Sequence, residues 1–412
     1  MNFKRKLWWA QHRNEVYKYG TILSLVLIVT ISIIYFTYSK FSSTNEATAY
    51  ETTVEPFIKN DDFIASYIDG EWSNEIPGKD DGYVVDKIVC DNGATGTWDN
   101  EEWGINIRNA TKKIKCSVFF IVKPTSAKQI ETLAATDTTN FATDDPDNNI
   151  RYIGANPNNY VYFNCSDYSN QSDSTCEKWR IIGVFKNMTK EDGSKEDLVK
   201  IIRDDSLGSI AWDSNNANDW STASLQTTLN GTYYNGTYAT GAFKNDSTRN
   251  AIESVVWNLG GTANYTTSSN GLASHWYGYE RGTTVYSGRP TTWTGKIAIM
   301  YPSDYGYATA GGTTTNRASC LAKELYNWDG SGVSDCKNND YLFKSAYTQW
   351  TLAPDSSGSG GALGVYTGGY VYGDNDVGAP NGVRPAAYLK SSISLSSVGD
   401  GSSTSPYQLK VG

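Results

Sequence analysis

The sequence predicts an α+β protein: a single N-terminal transmembrane helix, a small β module, and a larger irregular domain with two short helices. Three observations predict it. The run from Gly20 to Tyr38, GTILSLVLIVTISIIYFTY, carries no charged residue. Beyond it, short β-branched and aromatic runs alternate with Asn, Asp and Gly turns, the pattern of strands. Two stretches, about Ser224–Asn230 and Thr248–Asn258, space their apolar residues as one face of a helix does.

The first element is the apolar run. Its length is about that needed to cross a bilayer as a helix. Lys4, Arg5, Lys6, Arg13 and Lys18 precede it, and an acidic, Ser/Thr-rich stretch follows Lys40 and Phe41. By the positive-inside rule the basic flank stays in the cytoplasm and the rest is exported. A cleaved signal peptide and a buried core helix are the competing readings. Cleavable signals have shorter apolar regions followed by a small-x-small site, whereas this run ends in Tyr-Phe-Thr-Tyr. The expectation is a cytoplasmic tail over 1–18, a transmembrane helix over 19–38 with residues 20–38 in contact with the membrane, and a stalk over 39–79. The protein would then sit in the cell membrane, single-pass, with its C-terminal part outside.

All six cysteines lie beyond that run, at Cys90, Cys116, Cys165, Cys176, Cys320 and Cys336. An even number in an exported chain suggests disulfides. Joining neighbours gives Cys90–Cys116, Cys165–Cys176 and Cys320–Cys336, one of fifteen connectivities. No pair has CxxC spacing and the chain has only His12 and His275, so a zinc site lacks its ligands.

A small β module is expected over 80–123, Ig-like or a small sandwich, with strands at Gly82–Cys90, Trp103–Arg108 and Lys115–Ile121. Residues 124–149 are polar and acidic and read as a linker. The main domain, 150–412, opens with strands at Tyr160–Phe163 and Trp179–Phe185, and Glu191-Asp-Gly193 turns the chain into Leu198–Ile202. The two helices follow: Leu225 and Leu229 line the first, and Ile252, Val255 and Val256 line the second. Lys296–Tyr301 reads as a buried strand. Strands at Trp350–Leu352, Gly364–Tyr366, Tyr370–Tyr372 and Val383–Lys390 close the domain.

Several motifs stand together in this domain: Asn149-Ile-Arg-Tyr-Ile-Gly-Ala-Asn156, Trp179-Arg-Ile-Ile-Gly-Val-Phe185, Ser303-Asp-Tyr-Gly-Tyr307, Trp350-Thr-Leu352 and Gly382-Val-Arg-Pro385. The set resembles uncharacterised surface proteins of Gram-positive gut bacteria. The late Trp-Thr, Gly-rich and Gly-Val-Arg-Pro sequence also resembles the C-type-lectin-like fold of the sulfatase-modifying-factor group. The resemblance implies a C-type-lectin-like domain whose loops form a ligand platform. It carries no enzyme across, because Cys320 and Cys336 are too far apart to match the group's closely spaced copper-binding cysteine pair. The calcium signatures of sugar-binding C-type lectins are absent as well.

Composition narrows the function. With 19% charged and 39% hydrophobic residues the chain can bury a core, and its net charge of −9 disfavours nucleic acid as a partner. The 29 Tyr and 13 Trp suit an aromatic-rich core or a recognition face. Tyr366, Tyr370 and Tyr372 with Asp374 and Asp376 are the candidate ligand-binding residues, for a glycan or for a host or bacterial surface protein; strand tyrosines packed in the core are the alternative. Arg384 is expected to pair with a buried carboxylate or carbonyls. His275 reads as packing rather than as a catalytic base, so no catalytic residue is assigned and the protein is expected not to be an enzyme. The acids Asp204 and Asp205, or Asp374 and Asp376, would serve a cell-wall hydrolase only if set across a cleft. No cofactor is expected. Calcium has oxygen-rich loops to consider at Asp144, Asp145 and Asp147, at Asp213, Asn215, Asn216 and Asp219, and at Asp374, Asn375 and Asp376. The expectation is an adhesin-like binding protein; a hydrolase and a purely structural surface protein remain the alternatives.

Overall fold

A computed structural model describes residues 12–15, 17–30, 63–79, 81–110, 112–330 and 332–411; the side chains of residues 374 and 375 are outside that set. The chain divides into two units, one ending at Lys123 and the other beginning at Pro124.

The N-terminal expectation is overturned. Residues 12–15 and 17–30 are helical, but no helix among the described residues is long and apolar enough to cross a membrane. The rest of the apolar run, 31–38, lies outside the described residues. The transmembrane helix over 19–38 therefore does not stand, nor does the single-pass membrane localisation derived from it.

The strands of the first unit are β1 (Phe63–Ile68), β2 (Glu71–Ser73), β3 (Tyr83–Cys90), β4 (Thr95–Asp99), β5 (Gly104–Arg108) and β6 (Lys115–Val122). A four-stranded sheet runs β2-β1-β6-β3, and β4 and β5 form a separate hairpin. Because β1 pairs parallel with β6, the sheet is mixed. Strand β6 alternates as a half-buried strand should: Cys116, Val118 and Phe120 point inward, and the Trp98 ring meets Phe120 edge-on at 5.3 Å. Strands β1 and β2 fall in the region read as stalk, whose short runs gave no turn-bounded pattern.

The second unit begins with helix α1 (Ser126–Ala134), in the stretch read as a linker; the Ser126 N–H donates to the Ile393 carbonyl at 2.9 Å. Its strands are β7 (Phe141–Ala142), β8 (Ile150–Tyr152), β9 (Tyr160–Phe163), β10 (Glu177–Thr189), β11 (Lys195–Arg203), β12 (Ser209–Ala211), β13 (Ile252–Glu253), β14 (Val255–Asn258), β15 (Thr292–Gly295), β16 (Ile297–Ala298), β17 (Gln349–Pro354), β18 (Gly361–Val365), β19 (Val371–Asp376), β20 (Pro380–Gly382), β21 (Ala386–Leu389), β22 (Ser394–Leu395) and β23 (Leu409–Lys410). The larger sheet is ordered β13-β21-β11-β10-β8-β7, with β9 on β10 and β16 on β21. Gly193, at φ 82°, lets the Glu191–Gly193 turn close the β10–β11 hairpin. Strand β11 is covered on both faces, so Leu198 to Ile202 are all buried, the single lysine Lys200 included. A second sheet runs β12-β20-β17-β18-β19, which puts β19 at its edge.

The two expected helices need correction. The first ends at Thr228 (α2, Ser224–Thr228) and continues as a π-helical turn over Leu229–Tyr233. The second covers Asp246–Asn250 (α3) only, and the chain then enters β13 and β14. Ile252, Val255 and Val256 are β-branched and fit a strand at least as well as a helix. Their partners Leu389, Gly295 and Thr294 are far along the chain, so local spacing could not reveal them. Further helices form at α4 (Ala273–Glu280), α5 (Pro302–Tyr307) and α6 (Arg317–Leu321). The unit is a mixed α+β body, more helical than the two-helix domain expected.

Candidate functional site

Three disulfides close the chain: Cys90–Cys116, Cys165–Cys176 and Cys320–Cys336. They are consistent with an extracellular protein. The last encloses the residues that build one wall of a cleft. Within that loop Leu325–Asn327 forms a 3₁₀ turn, in which residues three apart share a face. Leu325 and Trp328 are buried, with Trp328 packed 5.4 Å from Tyr305. Tyr326 and Asp329 consequently face the other way, Tyr326 half-buried and Asp329 exposed.

The opposite wall is the β18–β19 hairpin. Its turn is closed by the Tyr366 N–H on the Tyr370 carbonyl at 2.9 Å and the Gly369 N–H on the Tyr366 carbonyl at 2.8 Å, with Gly369 at φ 88°. Tyr366 and Tyr370 flank the turn and stack at 4.9 Å with 15° between their planes. Tyr372, two residues on, keeps the face of Tyr370, while Val371 and Gly373 point into the core. Behind it lies Tyr265, buried, whose hydroxyl accepts the Gly373 N–H at 2.8 Å and whose ring stands 6.3 Å from Tyr372. Tyr326 closes the set at 5.7 Å from Tyr372 and 6.4 Å from Tyr370. Tyr326, Asn327, Asp329, Tyr370 and Tyr372 line an open cleft of about 230 Å³. Burial, with Asp329 nearby, pushes the Tyr370 hydroxyl above its ordinary range.

Of the residues expected to bind ligand, the structure brings together Tyr366, Tyr370 and Tyr372. Asp376 stands at the far end of β19, where its carboxylate accepts the Gly378 N–H at 2.9 Å and finishes a turn away from the cleft. The Asp374 side chain lies outside the described residues. Tyr265, Tyr326, Asn327 and Asp329 were not anticipated. The signal that could have found the last three is the Cys320–Cys336 pairing, which staples an aromatic and an acid into one short loop; Tyr265 lies outside that loop and carries no such signal.

The remaining candidates are occupied structurally. Arg384 donates to the Arg203 and Leu342 carbonyls at 2.8 and 3.2 Å and to Gln349 at 3.1 Å, deep in the core. Asp204 faces Lys344 at 3.2 Å and Arg384 at 3.8 Å rather than a second acid. His275 accepts the Leu272 N–H through Nδ1 at 3.3 Å, at the start of α4. In the oxygen-rich loops Asp145 binds Arg151, and Asp213 accepts the N–H groups of Asn215, Ala217 and Ser224. Among the described residues no three His, Cys, Asp or Glu side chains cluster as metal ligands would. No family model matches the chain, and neither a curated protein nor a solved structure does.

Proposed function

We propose that the protein is an adhesin-like recognition protein whose second unit binds a glycan in the tyrosine cleft. The observation that carries this reading is the convergence of half-buried tyrosines from two separate loops on one cleft, beside Asn327 and Asp329. Aromatic faces offer apolar contact to the C–H face of a sugar at little entropic cost. An amide and a carboxylate at the rim suit its hydroxyls. At about 230 Å³ the cleft is smaller than the roughly 300–1,000 Å³ of drug-sized pockets, and an open site of that size fits a single sugar ring better than a peptide segment. The walls are preorganised by the disulfide and the hairpin, which lowers the entropy lost on binding. The three disulfides agree with a protein working outside the cell.

The test is a glycan array with the full chain, followed by calorimetric titration of the best ligand against wild type, Tyr326→Ala and Tyr370→Ala. Each substitution is expected to weaken binding roughly tenfold, about 1.4 kcal/mol, with the circular dichroism spectrum unchanged. Saturable binding that ignores both substitutions would place the ligand elsewhere, and the absence of any glycan ligand would remove the reading.

A further inference from the structure

The buried Lys200 has no part in the cleft and is expensive to keep. It sits mid-strand in β11 with 0% of its side chain exposed, and its Nζ lies 2.5 Å from Oδ2 of Asp304, which is equally buried. Rings of Tyr301, Trp257, Phe185 and Tyr388 surround the amine at 4.4, 5.2, 5.3 and 5.6 Å. On the other side, Arg151 donates from Nη1 to Oδ1 of Asp304 at 2.7 Å and from Nε to Asp145 at 2.8 Å. Arg151 Nη2 is buried with no hydrogen-bond partner among the described residues. Glu280 fixes the residue before Asp304, accepting the Ser303 N–H at 2.8 Å and its hydroxyl at 2.5 Å.

We propose that Lys200 and Asp304 condense into an intramolecular isopeptide bond between β11 and α5. The step is a condensation without any redox partner. Asp304 begins as a carboxylate, held so by Lys200 and Arg151 against its burial. Burial weakens the Lys200 ammonium's hold on its proton, and the step requires that proton to pass along the short hydrogen bond to Oδ2. The amine nitrogen then attacks Cγ, the C–Oδ2 bond breaks, and a second proton from nitrogen leaves with Oδ2 as water. One ammonium and one carboxylate become one neutral amide and one water.

The surroundings supply what this step needs. Lysine becomes nucleophilic when desolvated in an apolar pocket, and the two groups are already in contact, the arrangement that raises effective concentration most. Charge builds on Oδ1 in the tetrahedral intermediate, where the Arg151 guanidinium is already placed. Two buried ions cost their full desolvation, and forming the amide removes both. The charge count supports the same conclusion. Arg151 remains paired with Asp145 after Asp304 has become an amide, so the product leaves no uncompensated ion. The bond would close a loop of 104 residues in sequence separation, far longer than any of the disulfide loops.

Intact mass spectrometry of the full chain, denatured and with its disulfides reduced, tests this directly. The expected mass is that of the sequence less one water, and digestion should yield a branched peptide joining Lys200 to Asp304, with no tryptic cleavage after Lys200. Lys200→Met should restore the full mass of its own sequence. A wild-type mass with no water missing would overturn the proposal without reliance on any variant. So would a missing water that persists in Lys200→Met, since it would belong to a succinimide at an Asp-Gly bond.

Discussion

Among single residues, Glu280 gives stability a pH dependence whose sign can be worked out. Burial pushes its carboxyl up to about 7, with Arg281 and Ser303 only partly offsetting that. In the unfolded chain it titrates near about 4.3. Below that value both states are protonated and stability is complete. As pH rises toward 7 the unfolded state ionises first, so stability falls, and above 7 it levels off roughly 4 kcal/mol lower. Glu280→Gln should flatten this slope and stabilise the protein at pH 8 by about 1–3 kcal/mol, the lower end reflecting the lost Arg281 contact. Urea unfolding of both proteins at pH 5 and pH 8 measures it; an unchanged slope in the variant would show that another group titrates there. Nothing in the sequence marks Glu280, because its burial depends on α5 packing over α4. Arg384 was legible, since a lone arginine between valine and proline in an apolar run has to find carbonyls or a carboxylate.

Elements were legible where their partners were near in sequence. The β10–β11 hairpin follows from two apolar runs around a Gly turn, and neighbouring cysteines pair because short loops bring them together. The β13 and β14 strands were misread, since spacing suggests a helix while pairing with distant strands decides otherwise. The β18–β19 hairpin was half-legible: its tyrosines were visible, but the opposing 3₁₀ turn has neither period nor motif. The hairpin also makes a prediction of its own. Gly369 sits at φ 88°, and a Cβ there would lie 2.1 Å from Cδ of Lys337. The strained backbone costs about 1–2 kcal/mol, and Lys337, whose amine donates to the Gly368 carbonyl, would have to move. Gly369→Ala should therefore lower stability by about 1–2 kcal/mol and weaken ligand binding by loosening the Tyr366–Tyr370 stack. Gly358→Ala, with nothing near its Cβ, should change stability by less than about 0.5 kcal/mol. Thermal melts of the two variants, with titration of the ligand, decide whether the turn or the tyrosines alone set the cleft.

At the scale of the whole molecule, each unit closes its own core. Ile105, Ile107, Val118 and Phe120 belong to the first, and the larger set around Trp179, Ile201, Trp257 and Tyr388 belongs to the second. Each disulfide also stays within one unit: Cys90–Cys116 in the first, the other two in the second. The tyrosine cleft is built wholly from residues after Pro124. Recognition and the first unit's stability should therefore be separable. Cys90–Cys116 closes a loop of 26 residues in sequence separation, so replacing both cysteines with serine should cost the first unit about 3 kcal/mol. Scanning calorimetry is expected to show two transitions in the wild-type chain, of which only one moves in the double-serine variant. Ligand affinity should be unchanged, because no cleft residue depends on that bridge. A single transition that shifts as a whole would mean that the units unfold together. The cleft would then rely on contacts beyond its own two loops, and a loss of affinity in the same variant would locate that reliance in the first unit.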